Sequence, residues 1–441
     1  MANKWYRWTA IAAAVVVLVI ALRTCGANGD LANQAPGEEV DAELTLQTVT
    51  LEQPDENGNL LWKLKAKAVN YKPDTQRAKL LELEGEFFQD GETIYTVKAD
   101  EGEVQQNGET LYLLGNLIAS SIEDELTLEG DRLKWQPKRD LLVMGNFQDK
   151  ALDEGSKAAK PEDAEGEDAI EDETESDETL YIPQGVELGA ADLLNEETVK
   201  QAPVRGFHPM MNAIAQVARV SNKDNRVELS GGVAAKSKES PWLTFASKQL
   251  TWLTEQELIQ TEEPLTVEQY EADAYATVTD RIVGAKGNVQ LADNIVTLTE
   301  SVQLESFTQP LKINSDMAVW DVDGQTVVVD SKLNIEQPER KITASANQGR
   351  LDLAQQIVYL TGDVRANGEE NDSRLQADSV VWNTQSQDVE AEGNVQYEQA
   401  ASPEASIAGE KAVGNIEQGT VVILGGQSGE VVTEIVPEDF D

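Results

Sequence analysis

YTVKADEGEVQQNGETLYLLGNL, residues Tyr95 to Leu117, is the stretch that decides the fold. Tyr95, Val97 and Ala99 alternate with polar residues, and a second alternating run follows the pair Asn107-Gly108. Alternation with a period of two is typical of strands, and Asn-Gly is a preferred two-residue turn between them. This stretch therefore predicts a β-hairpin.

The segment from Leu61 to Tyr71 alternates in the same way. Lys63, Lys65 and Lys67 share one face, and apolar residues such as Trp62 share the other. This pattern predicts a strand with one face in water. Similar strand signals recur along the chain whereas long helical stripes are nearly absent, so we predict an all-β protein with only minor helix.

A short phrase, apolar-x-Gly-x-apolar, recurs along the chain and closes the hairpin at Leu117. Successive repeats lie 30, 31 and 32 residues apart in the intervals 115 to 145, 362 to 393 and 393 to 425, about the length of one hairpin. The alternative is that some of the 31 glycines fall there by chance. A glycine within a strand indicates a bulge, a bend or a close backbone approach. We predict turns or bends at Gly58, Gly115, Gly145, Gly287, Gly362 and Gly393.

A second phrase places tryptophans shortly before polar turns, at Trp135, Trp252, Trp320 and Trp382. Aromatic residues favour strands and contribute large apolar surfaces to a core. We therefore predict that these tryptophans lie at strand ends and close the rim of the sheet.

The composition excludes several classes of function. The chain has 441 residues, with 35 Lys and Arg against 80 Asp and Glu, for a net charge of −45. A surface this acidic lacks the basic groups that nucleic acids require. A single cysteine, Cys25, excludes an intrachain disulfide.

The amino terminus predicts a membrane anchor in residues 1–25. Lys4 and Arg7 precede an uncharged apolar run from Trp8 to Leu22, which suits either a signal segment or, with flanking aromatics, a span. We favour an uncleaved anchor with its amino terminus in the cytoplasm. Lipidation of Cys25 stays open as an alternative.

The rest of the chain divides by composition. Residues 26–40 predict a flexible tether, and residues 41–150 a first β domain. Residues 151–202 are predicted as an acidic disordered linker, with a short helix near 190–200, because the acidic stretch offers little apolar surface to bury. Residues 203–426 predict a longer β region, and residues 427–441 a loose acidic tail.

The sequence contains little that suggests catalysis, a metal or a cofactor. The one histidine, His208, and the one cysteine lie far apart in the chain, and Asp321, Asp323 and Gly324 lack the further ligands of a calcium loop. We predict that the protein is not an enzyme and has no cofactor. The residues leave two interpretations open, a sheet that closes and packs its apolar face as core, and a sheet that stays open and offers an apolar groove.

The chain resembles the LptC family of lipopolysaccharide export proteins and its LptA and OstA-like relatives. The resemblance is densest from Gly58 to Ala119, in Trp62-Lys-Leu-Lys-Ala, in Tyr95-Thr-Val-Lys-Ala-Asp and in Leu111-Tyr-Leu-Leu-Gly-Asn-Leu117. It implies an open, V-shaped antiparallel β-jellyroll, here as two regions in tandem behind one membrane helix. It also implies a groove for acyl chains, with the candidate lining Leu113, Leu117, Leu126, Leu128 and Val143.

The resemblance implies partners and a location as well. These are lipopolysaccharide, an inner-membrane ABC transporter and an LptA-like bridge protein, with the anchor in the inner membrane and the bulk of the chain in the periplasm. The alternative function is a structural β-scaffold that pairs through strand edges with envelope proteins and carries no lipid. The acidic segment and the long second region depart from a single-domain form and suggest a built-in extension of the bridge.

Overall fold

A computed structural model describes residues 44–72, 77–105, 108–123, 125–149, 194–370, 372–400, 404–425 and 432–436. Within these ranges, 28 strands form one hydrogen-bonded antiparallel sheet, which confirms the all-β prediction. The predicted anchor, the tether, most of the acidic linker and most of the tail lie outside the described residues. Among the described residues, no helix has the length and apolar character that a membrane span requires.

The first part of the sheet is a meander of long strands. These are β1 Leu44–Pro54, β2 Leu60–Lys72, β3 Arg77–Gln89, β4 Glu92–Gln105, β5 Thr110–Ser121 and β6 Thr127–Gln136. β4 and β5 pair antiparallel with Val104 opposite Leu111, so the predicted hairpin is confirmed. On β2, Trp62 and Leu64 are buried, while Lys63 forms an ion pair with Glu52 on the outer face.

After β6, long hairpins alternate with sets of short strands. The first set is β7 Leu141–Gly145, β8 Val204–Phe207, β9 Met211–Ala215 and β10 Val217–Ser221, followed by the long strands β11 Arg226–Ser237 and β12 Leu243–Leu253. The second set is β13 Leu258–Thr261, β14 Leu265–Tyr270, β15 Val278–Gly284 and β16 Lys286–Gln290, followed by β17 Ile295–Ser306 and β18 Leu311–Asp321. The third set is β19 Thr326–Val329, β20 Leu333–Gln337, β21 Ile342–Ala346 and β22 Gln348–Asp352. The last long strands are β23 Ile357–Gly368, β24 Ser373–Asn383, β25 Asp388–Gln399 and β26 Glu404–Asn415, with β27 Thr420–Leu424 and β28 Val432–Val436 on β26.

The pairing of the short strands divides the sheet into two half-sheets. In the second set, β13 and β16 pair with each other beside one end of the long hairpins, and β14 and β15 pair beside the other end. We call the side of β7, β10, β13, β16, β19, β22 and β27 half-sheet A. We call the side of β8, β9, β14, β15, β20, β21 and β28 half-sheet B. Each long strand contributes one end to each half-sheet.

Between the half-sheets the long strands bend along a line that we call the crease. The pairing register shifts between Leu114 and Leu117 in β5, between Thr361 and Val364 in β23, and between Glu392 and Val395 in β25. Polar side chains bridge neighbouring strands there: Asn116 Nδ2 donates to Asp100 Oδ2 at 2.6 Å, and Asn394 Nδ2 donates to Asp378 Oδ2 at 2.8 Å. These bonds replace ladder hydrogen bonds that the bend removes.

The core lies between the half-sheets, which face each other. Phe87 of half-sheet B stacks on Trp135 of half-sheet A with ring centroids 5.2 Å apart and planes 5° apart. Buried apolar residues form one cluster from Trp62 to Val227 and a second from Ala215 to Ala412. The four tryptophans of the repeated phrase each lie one residue before the end of β6, β12, β18 or β24, which confirms the predicted strand ends; that they close the rim stays a prediction.

The sheet is continuous across the predicted linker. β6 pairs with β7 through residues 133–136 and with β8 through residues 127–130, so the chain leaves and rejoins the sheet beside one strand. Residues 43–441 form one compact unit, and the first core cluster extends beyond the acidic segment to Val227. The division into regions 41–150 and 203–426 stays a prediction, but no break in strand pairing accompanies it in the described residues.

A short helix flanks the sheet, and a short strand from the predicted tail joins it. The helix α1, Glu196–Gln201, begins at Asn195, whose side chain accepts from the backbone of Glu197 and Thr198, and it agrees with the predicted short helix. It lies over an outer-face cluster that includes Leu194 and Ile214. The predicted loose tail is wrong for Val432–Val436, because this β-branched run pairs with β26 as β28.

Candidate functional site

The candidate site is the apolar interior between the half-sheets. Leu113 and Leu117 on β5, two of the predicted groove residues, are buried in its core. Both lie on the face of β5 that meets the opposite half-sheet, on either side of the crease at Gly115. Their contribution to lipid binding stays a prediction.

Leu126 and Leu128 are also buried, and they line a small apolar cavity of about 50 Å³. His208 of half-sheet B and Trp252 of half-sheet A line the same cavity, and their rings meet edge to face with centroids 4.9 Å apart. A space of this size holds only a few atoms, so this part of the interior is filled by the protein itself.

Val143 does not lie in the interior, so its prediction as a groove residue is wrong. Leu142 and Met144 of β7 belong to the core, and successive side chains of a strand point to opposite faces. Val143 therefore packs on the outer face, in a cluster with Tyr112 and Phe147. The phrase around Gly145 indicated a strand correctly but gave no information about which face is the inner one.

A larger cavity lies near the carboxy-terminal end of the sheet. It has a volume of about 460 Å³ and is lined by residues from β21 to β27, among them Leu360, Val364, Leu375 and Trp382. This volume falls in the range of about 300–1,000 Å³ that ligand pockets occupy. The sequence did not point to this cavity. The local signal for it is a set of small residues at inward positions, namely Ala344, Ala366, Ala391, Ala412 and Gly414.

Contacts between the outer ends of the two half-sheets close the mouth of the interior. We call these the rim contacts. Trp62 Nε1 donates to the backbone oxygen of Gly108 at 3.0 Å, and Thr384 Oγ1 donates to Gln309 Oε1 at 2.6 Å. Over the larger cavity, Arg340 of the half-sheet B rim and Glu417 of the half-sheet A rim form an ion pair at 3.5 Å.

Four indole nitrogens lie beneath this rim. The Nε1 atoms of Trp135, Trp252, Trp320 and Trp382 are buried and have no hydrogen-bond partner among the described residues. A buried N–H without an acceptor costs about 1–3 kcal/mol of stability. Of these tryptophans, Trp252 lines the small cavity and Trp382 lines the large one.

The predicted glycines occupy three kinds of position. Gly58 lies in the turn between β1 and β2, and Gly115, Gly362 and Gly393 lie in the crease with φ of 76°, 83° and 78°. Gly145 ends β7, where a Cβ would lie 2.1 Å from the backbone oxygen of Gln216.

The predicted bend at Gly287 is wrong. This residue lies within the regular strand β16, which pairs with β17 without a register shift. It is a site of close approach instead, because a Cβ there would lie 2.3 Å from Leu298 Cδ2.

The described residues contain no candidate metal centre. Within the described ranges, no group of three or more His, Cys, Asp or Glu residues could hold a metal ion. Glu268 is buried on the outer face of β14, because the neighbouring Val267 belongs to the core, and its Oε1 accepts from Arg281 Nε at 2.8 Å.

Comparison with known proteins connects this geometry to a family. The family model described as "Lipopolysaccharide-assembly, LptC-related" matches residues 9–143 and 333–430. No curated protein matches the chain. The family match spans the first meander and the strands around the larger cavity, which together exceed half of the chain. The chain belongs to the LptC-related lipopolysaccharide-assembly family.

Proposed function

We propose that this protein accepts lipopolysaccharide between its half-sheets and passes it along a protein bridge toward the outer membrane. Its family is a non-enzymatic component of lipopolysaccharide transport. The observation that supports the proposal most strongly is the run of buried apolar residues between the half-sheets, from Trp62 to Ala412. Acyl chains leave water for such a surface because their burial is favourable in proportion to their apolar area.

Entry of lipid requires the half-sheets to separate, which corresponds to the open, V-shaped jellyroll of the sequence prediction. The two sides of the mouth meet through single side-chain contacts such as that of Gln309 with Thr384. The half-sheets themselves are held by continuous backbone ladders, for example between β17 and β18. Opening at the rim would therefore break few hydrogen bonds, while the hydrogen bonds of the crease and of the strand ladders stay intact.

Tethering to the inner membrane by residues 1–25, with the rest of the chain in the periplasm, belongs to the same proposal. An inner-membrane ABC transporter would deliver the lipid, and an LptA-like protein would receive it. Replacing Leu18 by Arg should release the protein from membranes, because a central charge costs about 2.5–3.5 kcal/mol on insertion. Retention of this variant in the membrane fraction, or a mature protein that begins at Cys25, would contradict the anchor.

Photo-crosslinking during active transport tests the lipid conduit. Crosslinkers at Leu113, Leu117, Leu126 and Leu128 should capture lipopolysaccharide when the transporter hydrolyses ATP. A crosslinker at Val143 is the matched control, because it lies on the outer face of the same sheet and should capture none. Absence of lipid at all four interior positions during ATP hydrolysis would refute the conduit.

The second candidate function is a scaffold that pairs with envelope proteins through strand edges and carries no lipid. In the described part of the chain, β1 pairs with β2 alone, and β27 with β26 alone. Val422 and Leu424 on β27 are 59% and 49% exposed, which suits addition of a partner strand. Protein captured at Val422 without lipid at the interior positions would favour the scaffold.

A further inference from the structure

We propose that the larger cavity binds one anionic acyl lipid with its head group at the rim, where Arg340 exchanges Glu417 for the lipid's phosphate. The indole N–H of Trp382 would donate to an ester, amide or hydroxyl oxygen near the head of the chain. This proposal rests on the proposed lipid-carrying function and adds the groups that orient the lipid.

The first observation behind the proposal is the set of charged side chains at the mouth of the larger cavity. Arg340 is the cation of the cavity lining, and it stands beside Lys341 on the half-sheet B rim of a chain with a net charge of −45. Its carboxylate partner, Glu417, comes from the opposite rim at 3.5 Å. Glu370, the other acid of the lining, is exposed on the same rim as Arg340.

This ion pair is suited to exchange. The Arg340 side chain is 35% exposed and that of Glu417 is 65% exposed, so solvent screens the pair and it contributes little to stability. A phosphate presents more acceptor oxygens to a guanidinium than one carboxylate does, and it can be bound through two parallel hydrogen bonds. A lipid phosphate therefore competes well with Glu417.

The second observation is the lining of the cavity, which is apolar and includes the indole of Trp382. Leu360, Val364 and Leu375 provide an apolar lining in which an acyl chain is more stable than in water. Trp382 is 3% exposed, and its Nε1 has no acceptor among the described residues. It lies one residue before the end of β24, at the level of the rim. The donor and the cation thus lie where the polar end of a lipid would be if its chain filled the cavity.

The test uses the full chain and three soluble probes with the same saturated chain. Lauroyl lysophosphatidic acid carries a phosphate and an ester, dodecyl phosphate carries only the phosphate, and 1-lauroylglycerol carries the ester without a phosphate. Arg340→Gln should weaken the first two about five- to tenfold and leave the third unchanged. Trp382→Phe should weaken the first and third a few-fold and leave dodecyl phosphate unchanged. Arg374→Gln is the matched control, because Arg374 is exposed beside cavity-lining Leu375 on the same rim and this variant should bind all three as wild type.

The other outcomes are equally informative. If Arg340→Gln weakens all three probes equally, the ion pair is a structural contact and the proposal is overturned. Unchanged binding of the two phosphate-bearing probes by this variant would overturn it as well. Glu417→Gln removes the competing acid and should tighten both phosphate probes, and it serves if Arg340→Gln fails to fold. Inorganic phosphate that binds as tightly as dodecyl phosphate would indicate a free-phosphate site and overturn the lipid assignment. If wild-type protein binds none of the three lipids, the proposed function itself fails.

Discussion

Replacing Gly362 by Val should destabilise the second region by about 2–4 kcal/mol. Gly362 lies in the crease of β23 with φ of +83°, where a side chain costs about 1–2 kcal/mol and a β-branched one more. A Cβ there would also lie 3.0 Å from Nδ2 and 3.1 Å from Cβ of Asn347, so that side chain must shift. Leu360 and Val364 on either side of the crease line the larger cavity, so the change should distort that cavity.

Urea unfolding and amide hydrogen exchange measure this effect, with two other glycines as controls. Gly58 has φ of +91°, and no atom lies within 4 Å of the place a Cβ would take, so Gly58→Ala isolates the backbone cost. Gly287→Ala isolates the steric cost, because its backbone is regular but its Cβ would lie 2.3 Å from Leu298 Cδ2. Combining Gly362→Val with Asn347→Ala should recover the part of the steric cost that the Asn347 amide causes, and leave the contact with its Cβ and the backbone cost.

Two results would refute this reasoning. Unchanged urea sensitivity and unchanged exchange in β23 and β24 would mean that the crease tolerates an ordinary side chain. Export at the wild-type rate by a stably folded Gly362→Val protein would leave the second region as a spacer. It would then confine lipid handling to residues before Asp153.

Three further predictions concern single groups. Burial, and then its hydrogen bond to Asp149, raises the pKa of Tyr112 above the ordinary 10.0. The neutral phenol therefore contributes to folding stability below pH 10, and this contribution is lost as the pH rises further. Urea unfolding at increasing pH should show a loss of stability above pH 10 that Tyr112→Phe lacks. Burial raises the pKa of Asp280 above 3.8 and outweighs the hydrogen bonds from Ser306 and Thr279, which lower it. The contribution of this carboxyl to folding stability is therefore full below pH 3.8 and is lost as the group ionises at higher pH. Asp280→Asn should therefore raise the free energy of unfolding at pH 7, and a gain that persists unchanged at pH 3 would contradict this cause. Val422→Lys should weaken the addition of a partner strand at β27 and leave the midpoint of urea unfolding unchanged, because Val422 is exposed. Crosslinking to the bridge partner measures strand addition. Undiminished crosslinking would exclude β27 as the pairing edge.

Local sequence patterns were sufficient to predict the strands and many of the turns and bends between and within them. Alternation identified the hairpin of β4 and β5 because one buried face imposes a period of two on the sequence. The glycine phrase located the crease at Gly115, Gly362 and Gly393, where a positive φ favours glycine. The same phrase occurs at Gly287, where glycine is required by the space beneath Leu298, so one pattern has two physical causes.

Properties that depend on distant partners were not predictable in this way. The face on which Val143 lies is fixed by the pairing of β7 with β6 and β10, and β10 follows the acidic segment. The larger cavity depends on how far apart the half-sheets are held, which is the sum of many side-chain volumes. Phe87 and Trp135 fill the first core across the same gap that Ala391 and Ala412 leave open near the carboxy-terminal end.

The crease shows how a chain of this kind extends a trough without forming a new domain interface. Its polar residues recur at Asp100, Asn116 and Asp131 in β4, β5 and β6, and at Asn347, Asp363, Asp378 and Asn394 from the β21–β22 link to β25, one for each of these crossings. Glycine marks only some of these crossings, which is why the sequence showed a period of two strands. Each added long strand, or each added set of short strands, pairs with the strand before it and contributes to both half-sheets. It therefore lengthens the half-sheets and the interior together. A lipid that enters beside Leu113 would then reach the cavity at Trp382 along one sheet, because β7 before the acidic segment and β8 after it both pair with β6.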